Sequence, residues 1–565
     1  MDNDDYSTQQ IHGDILDAKT KGEEVKPAEH CSTFCHMVRI GTALSAEKNL
    51  DKLLEMIIVE GMNFTNADGG TLYIMSEDEK SLQFKIIQNR SMKLKMGGTS
   101  GVKIAFAPIK LYNDNGLKNE SNVSAKVAHS GIAVNIPDVY HVSDLDFAGT
   151  KKFDAGTGYR SKSMLVTAMR NHEDNIIGVL QLINATDESG NTIDFSAEHN
   201  EIITSLASLA ATAITNATLI KEQKELFDGI ILVIAKAIDR KSKYTGGHIR
   251  RVAELTMTIA RALGESEDEN WKDFTLSPDE ETELRIAAWL HDIGKITTPE
   301  YVVDKGKKLE TIYNRLNTVL ARIEIFKRDL ELDYLRRRSI LERSEDSNAK
   351  IQLKDLDTEF AQRILQLKDD AEFLKVSDIG GEFMADDKIE RVKEIAKNIV
   401  RINDEEVPLL SANEVENLSI RRGTLTDAER LIIQNHVVVS IQMLYQLPWP
   451  KKLQHVCEYA GEHHEKLNGT GYPHGLSAED LSTKSRIIVL SDIFEALTAA
   501  DRPYKDGKKL SESMKIINFM VKDGHLDKNL VEFFVKTGLV IQYAKKELVP
   551  HQIDNFIYDG VEYKV

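Results

Sequence analysis

Cysteine is nearly absent. Among 565 residues there are three, Cys31, Cys35 and Cys457. That excludes a disulfide framework and fits a reducing, cytoplasmic compartment. An unbroken apolar run of about 18 residues is also lacking, so no membrane insertion is expected. The opening residues, MDNDDYSTQQIHGD, have neither the basic start nor the apolar stretch of a secretory signal. Positive charge is outweighed, 72 Lys and Arg standing against 90 Asp and Glu for a net −18. A nucleic-acid polymer or an anionic membrane would be repelled at long range, which still leaves room for a small basic pocket. What is present is 41% apolar and 29% charged, a globular composition. The length predicts roughly three to five domains.

Residues 1–36 show no sustained apolar period and read as a flexible tail. The string HCSTFCH at 30–36 brings two Cys and two His together, but its spacing has no second half elsewhere, which favours chance clustering over a zinc site. Residues 37–60 predict a helix with Leu44, Leu50, Leu53, Leu54 and Ile57 on one broad apolar face. Short β-rich runs follow: TLYIM (71–75), LQFKII (82–87), VKIAFAPI (102–109), GIAVNI (131–136), MLVTAMR (164–170) and NIIGVLQLIN (175–184). A sheet flanked by helices, an α+β module, is the expectation. From 197 to 240 the chain has no Pro and one Gly, and apolar residues recur every three or four positions. This predicts one long connecting helix that either packs within a subunit or pairs in a dimer to transmit a signal.

The segments DGGTLYIM, DFAGTKKFDAGTGYRSKSMLVTAM and IIGVLQLINA resemble a GAF domain, the small-molecule sensory module of signalling proteins. The expected domain is 37–218. The resemblance implies an unknown small-molecule ligand or a module that only dimerises. No cysteine lies within the module, which disfavours a covalently held bilin.

Residues 248–492 hold a set of metal-ligand types in helical, apolar contexts: His248, His291 with Asp292, His436, His463 with His464, and Asp492. A lone histidine on an apolar face is usually a core residue. An adjacent HD pair and an adjacent HH pair need compensation for burial, and a divalent cation supplies it. Imidazoles plus carboxylates suit iron, manganese, zinc or cobalt. Two such cations can share a hydroxide and hold both phosphate oxygens of an in-line displacement.

The order H…HD…H…HH…D, with HDIGK, HHEKLNGTGYPHGL and DRPYK, resembles the HD-GYP subfamily of the HD phosphohydrolase superfamily, over about 225–306 and 420–545. The implied fold class is multidomain: an α+β GAF domain followed by an all-α HD-GYP domain at 225–545, with a tail at 546–565. The resemblance implies metal ligands at His248, His291, Asp292, His436, His463, His464 and Asp492, with Asp292 bridging. It implies that Lys295 contacts the scissile phosphate, that Gly471, Tyr472 and Pro473 line the substrate pocket, and that Arg502 and Lys505 contact phosphate or guanine. The implied cofactor is a dinuclear centre, iron first and manganese next. The implied activity is hydrolysis of cyclic di-GMP to the linear dinucleotide or GMP by a metal-bridging hydroxide, under GAF control, in a homodimer. Open alternatives are a 3′,3′-cyclic GMP-AMP phosphodiesterase, a non-catalytic cyclic-dinucleotide receptor, and a phosphohydrolase of other nucleotides.

The chain departs from the family pattern in places. Tyr244 stands where some members carry a third-metal Glu, which predicts two metals. Asn468 and Gly469 replace the usual Asp-Gly, keeping the turn and dropping a charge. The text from Asp492 to Arg502 is one residue longer than usual, which bears on base preference. The largest departure is an insertion at 307–420. Ile312, Leu316, Val319, Ile323, Phe326 and Leu330 set one helical rhythm, and Leu353, Leu356, Phe360, Ile364, Leu367 and Leu374 another. They predict two long helices joined near 344–348 in an antiparallel arm. The arm reads as a solvated embellishment, a dimerisation element or a lid.

Overall fold

The computed structural model describes residues 29–241, 247–345, 348–381, 383–500 and 507–565, with no side-chain description for 29–35. Two compact units divide the chain at Leu226 and Phe227.

The first unit is an α/β domain. Helices α1 (Glu29–Ala46) and α2 (Leu50–Thr65) precede an antiparallel sheet. Its strands are β1 (Ala67–Met75), β2 (Ser81–Asn89), β3 (Leu94–Gly97), β4 (Ile109–Lys110), β5 (Val134–Ile136), β6 (Met164–Arg170), β7 (Ile176–Thr186) and β8 (Thr192–Ile193). The main path runs β3-β2-β1-β7-β6-β5, with β4 on β2 and β8 on β7. β1 is central, Thr71 pairing with Ile87 on one side and Gln181 on the other. Helices α3 (Val123–Ser130) and α4 (Ala148–Thr157) lie between β4 and β6, and α5 (Ala197–Lys241) follows β8. One apolar cluster joins Leu53, Ile57 and Ile58 of α2 to Leu180 and Leu182 of β7 and Leu206 of α5; a second joins Val123 and Val127 of α3 to Tyr73, Val166 and Val179. The sheet is thus covered on both faces, which is why β6 reads as an apolar run instead of alternating.

Three expectations need correction here. The 36/37 boundary between tail and domain falls inside α1, and the expected single helix 37–60 breaks at Glu47–Asn49, where Asn49 caps α2 by accepting from Lys52 N. The run VKIAFAPI forms no strand before Ile109, and Phe106 is half-exposed beside Phe84, ring centroids 5.6 Å apart. The HCSTFCH cluster lies outside the described side chains except for His36, whose Nε2 is 3.6 Å from Glu60 Oε2. Although α5 has no unbroken apolar run, its length and a mean hydropathy of 1.4 in one 18-residue window match a membrane span by composition alone, and 39% of that window is buried within the protein.

The second unit is mainly helical. α6 (His248–Gly264), α7 (Pro278–Leu290) and α8 (Glu300–Val303) lead to an insertion formed by α9 (Leu316–Glu342), α10 (Ala349–Asp378), α11 (Asp386–Ala396), the hairpin β9 (Ile399–Ile402) and β10 (Glu405–Pro408), and α12 (Ala412–Leu418). Then come α13 (Asp427–Leu444), α14 (Val456–Gly461), α15 (Thr483–Thr498), α16 (Leu510–Lys522), α17 (Lys528–Lys536), α18 (Leu539–Glu547) and a last hairpin, β11 (Phe556–Tyr558) and β12 (Val561–Tyr563). The main core gathers Ile259, Leu284, Ile286, Val456, Ile488, Phe494 and Phe534.

The insertion does contain two long helices, which pack side by side where Tyr334 stacks on Phe360 at 4.2 Å and donates to Asp357 at 2.8 Å. It is more than an arm, however. Leu309, Val319, Ile323, Leu374, Val392, Val400 and Leu410 build a separate small core. Asn403 and Asp404, both in the left-handed region, make the tight turn of β9–β10. Ile312, assigned to the first helical rhythm, is instead 96% exposed ahead of α9. Residues 546–565 are likewise not a tail: Phe556 and Tyr558 are buried in the main core, and Gln552 Nε2 donates to Thr498 O at 2.8 Å.

Candidate metal centre

Each predicted ligand sits at a helix end or on a buried helix face. His248 is the first residue of α6, after Gly247 at φ 92°. His291 ends α7, and Asp292 begins the 3₁₀ turn Ile293–Thr297 that carries Lys295. His436 lies within α13, which starts at Thr426 with a reciprocal cap to Glu429. His463 and His464 follow α14, and Asp492 lies within α15. The HD turn and α13 touch closely. A Cβ on Gly294 would lie 2.0 Å from His436 O, so only glycine fits. Ser440 Oγ closes the contact by donating to His291 O at 3.0 Å and accepting from Gly294 N at 2.8 Å.

These elements bring the seven residues into one buried cluster with Asp292 at its centre. Asp292 Oδ2 faces His291 Nε2 at 3.3 Å and His248 Nε2 at 3.5 Å. Asp292 Oδ1 faces His436 Nε2 at 3.2 Å and His463 Nε2 at 3.8 Å. Asp492 Oδ1 is 3.4 Å from His248 Nε2. The ligand atoms of His248, His291 and Asp492 lie within 4.8 Å of one another, as do those of His436, His463 and His464. One carboxylate therefore looks at two separate donor groups.

The electrostatics suit cations. Burial would raise the Asp292 carboxyl, yet Lys295 and His291 beside it hold it well below the usual range. Asp492 is buried too and is held low by His248. Burial pushes His463 well below the ordinary imidazole value and His464 down to about 4, whereas at His248 and His291 the neighbouring carboxylates outweigh burial and raise the imidazole. His291, His436 and His463 point Nδ1 at backbone carbonyls of Ala288, Ile433 and Ala460, leaving Nε2 forward. The Nε2 atoms of these three residues and Asp292 Oδ1 are buried without a hydrogen-bond partner. Four such orphans in one place are costly unless something else meets them. A pair of divalent cations fits this donor set.

Lys295 Nζ lies 2.5 Å from Asp292 Oδ2, at the edge of the cluster. Tyr472 stacks on His464 with ring centroids 4.8 Å apart. A Cβ on Gly471 would meet Glu465 Cα at 2.5 Å. Beyond Pro473 the loop is pinned by fully buried Glu465, which accepts from the backbone N–H groups of His474, Gly475 and Leu476 at 2.7, 3.2 and 3.0 Å. Arg502, Lys505 and Tyr244 lie outside the described residues. Sequence reasoning overlooked Ser440, Glu465 and Glu495. Glu465 directly follows the HH pair, so its place was readable, whereas Ser440 and Glu495 act across 149 and 247 positions.

Comparison with known proteins supports two kinds of domain. Residues 49–214 match the GAF domain family, and residues 245–379 and 391–530 each match an HD domain family. The first HD stretch holds His248, His291, Asp292 and Lys295, and the second holds His436, His463, His464 and Asp492. A 3′3′-cGAMP-specific phosphodiesterase of Vibrio cholerae is 40% identical over 123 residues, 22% of this chain and 28% of that protein. A second of the same organism is 41% identical over 95 residues, 17% of this chain and 20% of that protein. A cyclic di-GMP phosphodiesterase of Pseudomonas aeruginosa is 34% identical over 114 residues, 20% of this chain and 26% of that protein. The chain thus spans less than a third of the length of these relatives.

Proposed function

Starting from a chain that joins a GAF domain to an HD domain, we propose that it is a metal-dependent phosphodiesterase that hydrolyses a cyclic dinucleotide, of the HD-GYP kind. The carrying observation is the Asp292 carboxylate between two histidine groups, of which His291, His436 and His463 have buried Nε2 atoms without a partner. Two bound divalent cations would supply an activated water and neutralise phosphate charge. The chain's own residues do the rest. His248, His291, His436, His463, His464, Asp292 and Asp492 hold the cations, with iron first and manganese next. Lys295 offers a fixed positive charge to the phosphate. The Gly471–Tyr472–Pro473 loop, held by Glu465, forms one wall of the substrate site.

Cyclic di-GMP is the first substrate and 3′,3′-cyclic GMP-AMP the second. The second is favoured by the two Vibrio cholerae relatives, whose names specify it. In the first unit a cavity of about 380 Å³ lies beside Tyr73, Phe84, Phe106, Asn122 and Gln181. Its volume suits a small ligand that regulates turnover. Among the described residues its lining has no Lys, Arg or His and one carboxylate, Asp146, which disfavours an anionic compound. A homodimer belongs to the same reading, supported by the exposed Leu219, Ile220, Leu226, Ile230 and Val233 of α5. The test is anaerobic purification, metal analysis and turnover of both cyclic dinucleotides by loaded and metal-stripped protein. Phosphodiester cleavage only by the loaded protein is expected. Binding without cleavage would replace this reading with that of a receptor.

A further inference from the structure

The histidines of the cluster are not anchored alike. His291, His436 and His463 each rest Nδ1 on a carbonyl three residues earlier in the chain. His248 is the first residue of α6, and its anchor comes from another helix. Its Nδ1 meets Glu495 Oε2 instead, a fully buried carboxylate on α15. The other oxygen of Glu495 accepts from Arg251 Nε at 2.7 Å, so the carboxylate is held from both ends. Glu495 stands three residues after Asp492, on the same helix face.

The two sides of Asp292 therefore differ in chemistry. The His248 side has two imidazoles, the Asp492 carboxylate and a share of Asp292. The other side has three imidazoles and a share of Asp292. In a buried place, one more carboxylate attracts a cation more strongly. A carboxylate behind an imidazole also fixes its tautomer, turns the Nε2 lone pair forward and makes it a better donor. Arg251 offsets the charge of Glu495, so the charge difference comes from Asp492, while Glu495 contributes orientation and donor strength.

We propose that the two cation positions are inequivalent, the one formed by His248, His291 and Asp492 filling first, and that Glu495 is the positioning residue that makes it the tighter. This rests on reading the cluster as a two-cation centre. It gives the centre an order of assembly and identifies a residue outside the ligand set that controls it.

The test is titration of the metal-free full-length chain with Mn²⁺, free Mn²⁺ being followed by electron paramagnetic resonance. Wild type is expected to show two classes of one equivalent each. Glu495→Gln should weaken the tighter class about 10–100-fold and leave the other unchanged. His436→Ala should remove the weaker class only. Arg251→Gln keeps all ligand side chains but removes the guanidinium from Glu495, and should weaken the tighter class by less. Circular dichroism of each variant reports its fold. Unchanged affinities in both Glu495→Gln and Arg251→Gln, equal weakening of both classes, or loss of the tighter class in His436→Ala would overturn the inference. A wild-type chain that takes up no cation would overturn the two-cation reading as well, so the two failures are distinct.

Discussion

In the cavity of the GAF domain the polar side chains already answer one another. Gln181 Oε1 accepts from Tyr73 OH at 2.9 Å and from Ser124 Oγ at 3.2 Å, and Tyr159 OH donates to Asp68 at 2.7 Å while accepting from Asn184 at 2.9 Å. In the HD cluster, three imidazole nitrogens and a carboxylate oxygen are buried with no such partner. The first arrangement satisfies its own polar atoms without a bound partner. The second leaves buried polar atoms that bound cations would meet. Burial alone does not separate the two sites. What separates them is whether their polar atoms are satisfied within the chain.

Removing the shared carboxylate breaks the comparison hardest. Asp292→Ala takes a ligand from both positions, and metal analysis should find neither filled and turnover at background. A milder probe is Lys305, a buried cation in the same unit that is fully answered by the protein. Its Nζ meets Asn417 Oδ1 at 2.7 Å and the Glu429 carboxylate at 2.6 Å. Lys305→Met removes the counter-charge of Glu429, which keeps only its cap contact to Thr426, and should cost about 3 kcal/mol in denaturant unfolding while both cations still bind. In the GAF cavity, Gln181→Leu strands the hydroxyls of Tyr73 and Ser124, and should cost about 1–3 kcal/mol of that domain's stability without changing metal content.

The smallest effect concerns Lys308, whose ammonium donates to Leu418 O at 3.1 Å and Ile420 O at 2.7 Å. Burial pushes it down to about 8 from 10.5, with Asp378 opposing. Between these values the unfolded chain binds more protons than the folded one. Stability should therefore rise as pH climbs from about 8 to 10.5, the burial penalty being fully present below 8. Unfolding of wild type against Lys308→Met across that range should show the rise in wild type only.

Much of this was legible because it was local. The run 164–170 forms β6, and the three–four rhythm from 197 forms α5, since periodicity reports packing on neighbouring elements. The histidine-rich text marked the residues that converge on Asp292. The misses have physical causes. VKIAFAPI has strand composition, but its strand pairing begins at its last residue, Ile109, on β2. The C-terminal hairpin is short, and its burial depends on contact with α16, far back in the chain. The β9–β10 hairpin was readable from Asn403 and Asp404, whose turn preference was overlooked. Glu495 looks like any acidic helix residue until folding sets it behind His248.

Whether the unsatisfied cluster holds the cations that phosphodiester hydrolysis needs is tested most directly with His463→Ala/His464→Ala. Metal content and cyclic di-GMP turnover are measured on the same sample, beside wild type. Loss of at least one cation per chain together with loss of turnover is expected, while the GAF domain stays folded. Full turnover by the double variant, or by metal-free wild type, would contradict it.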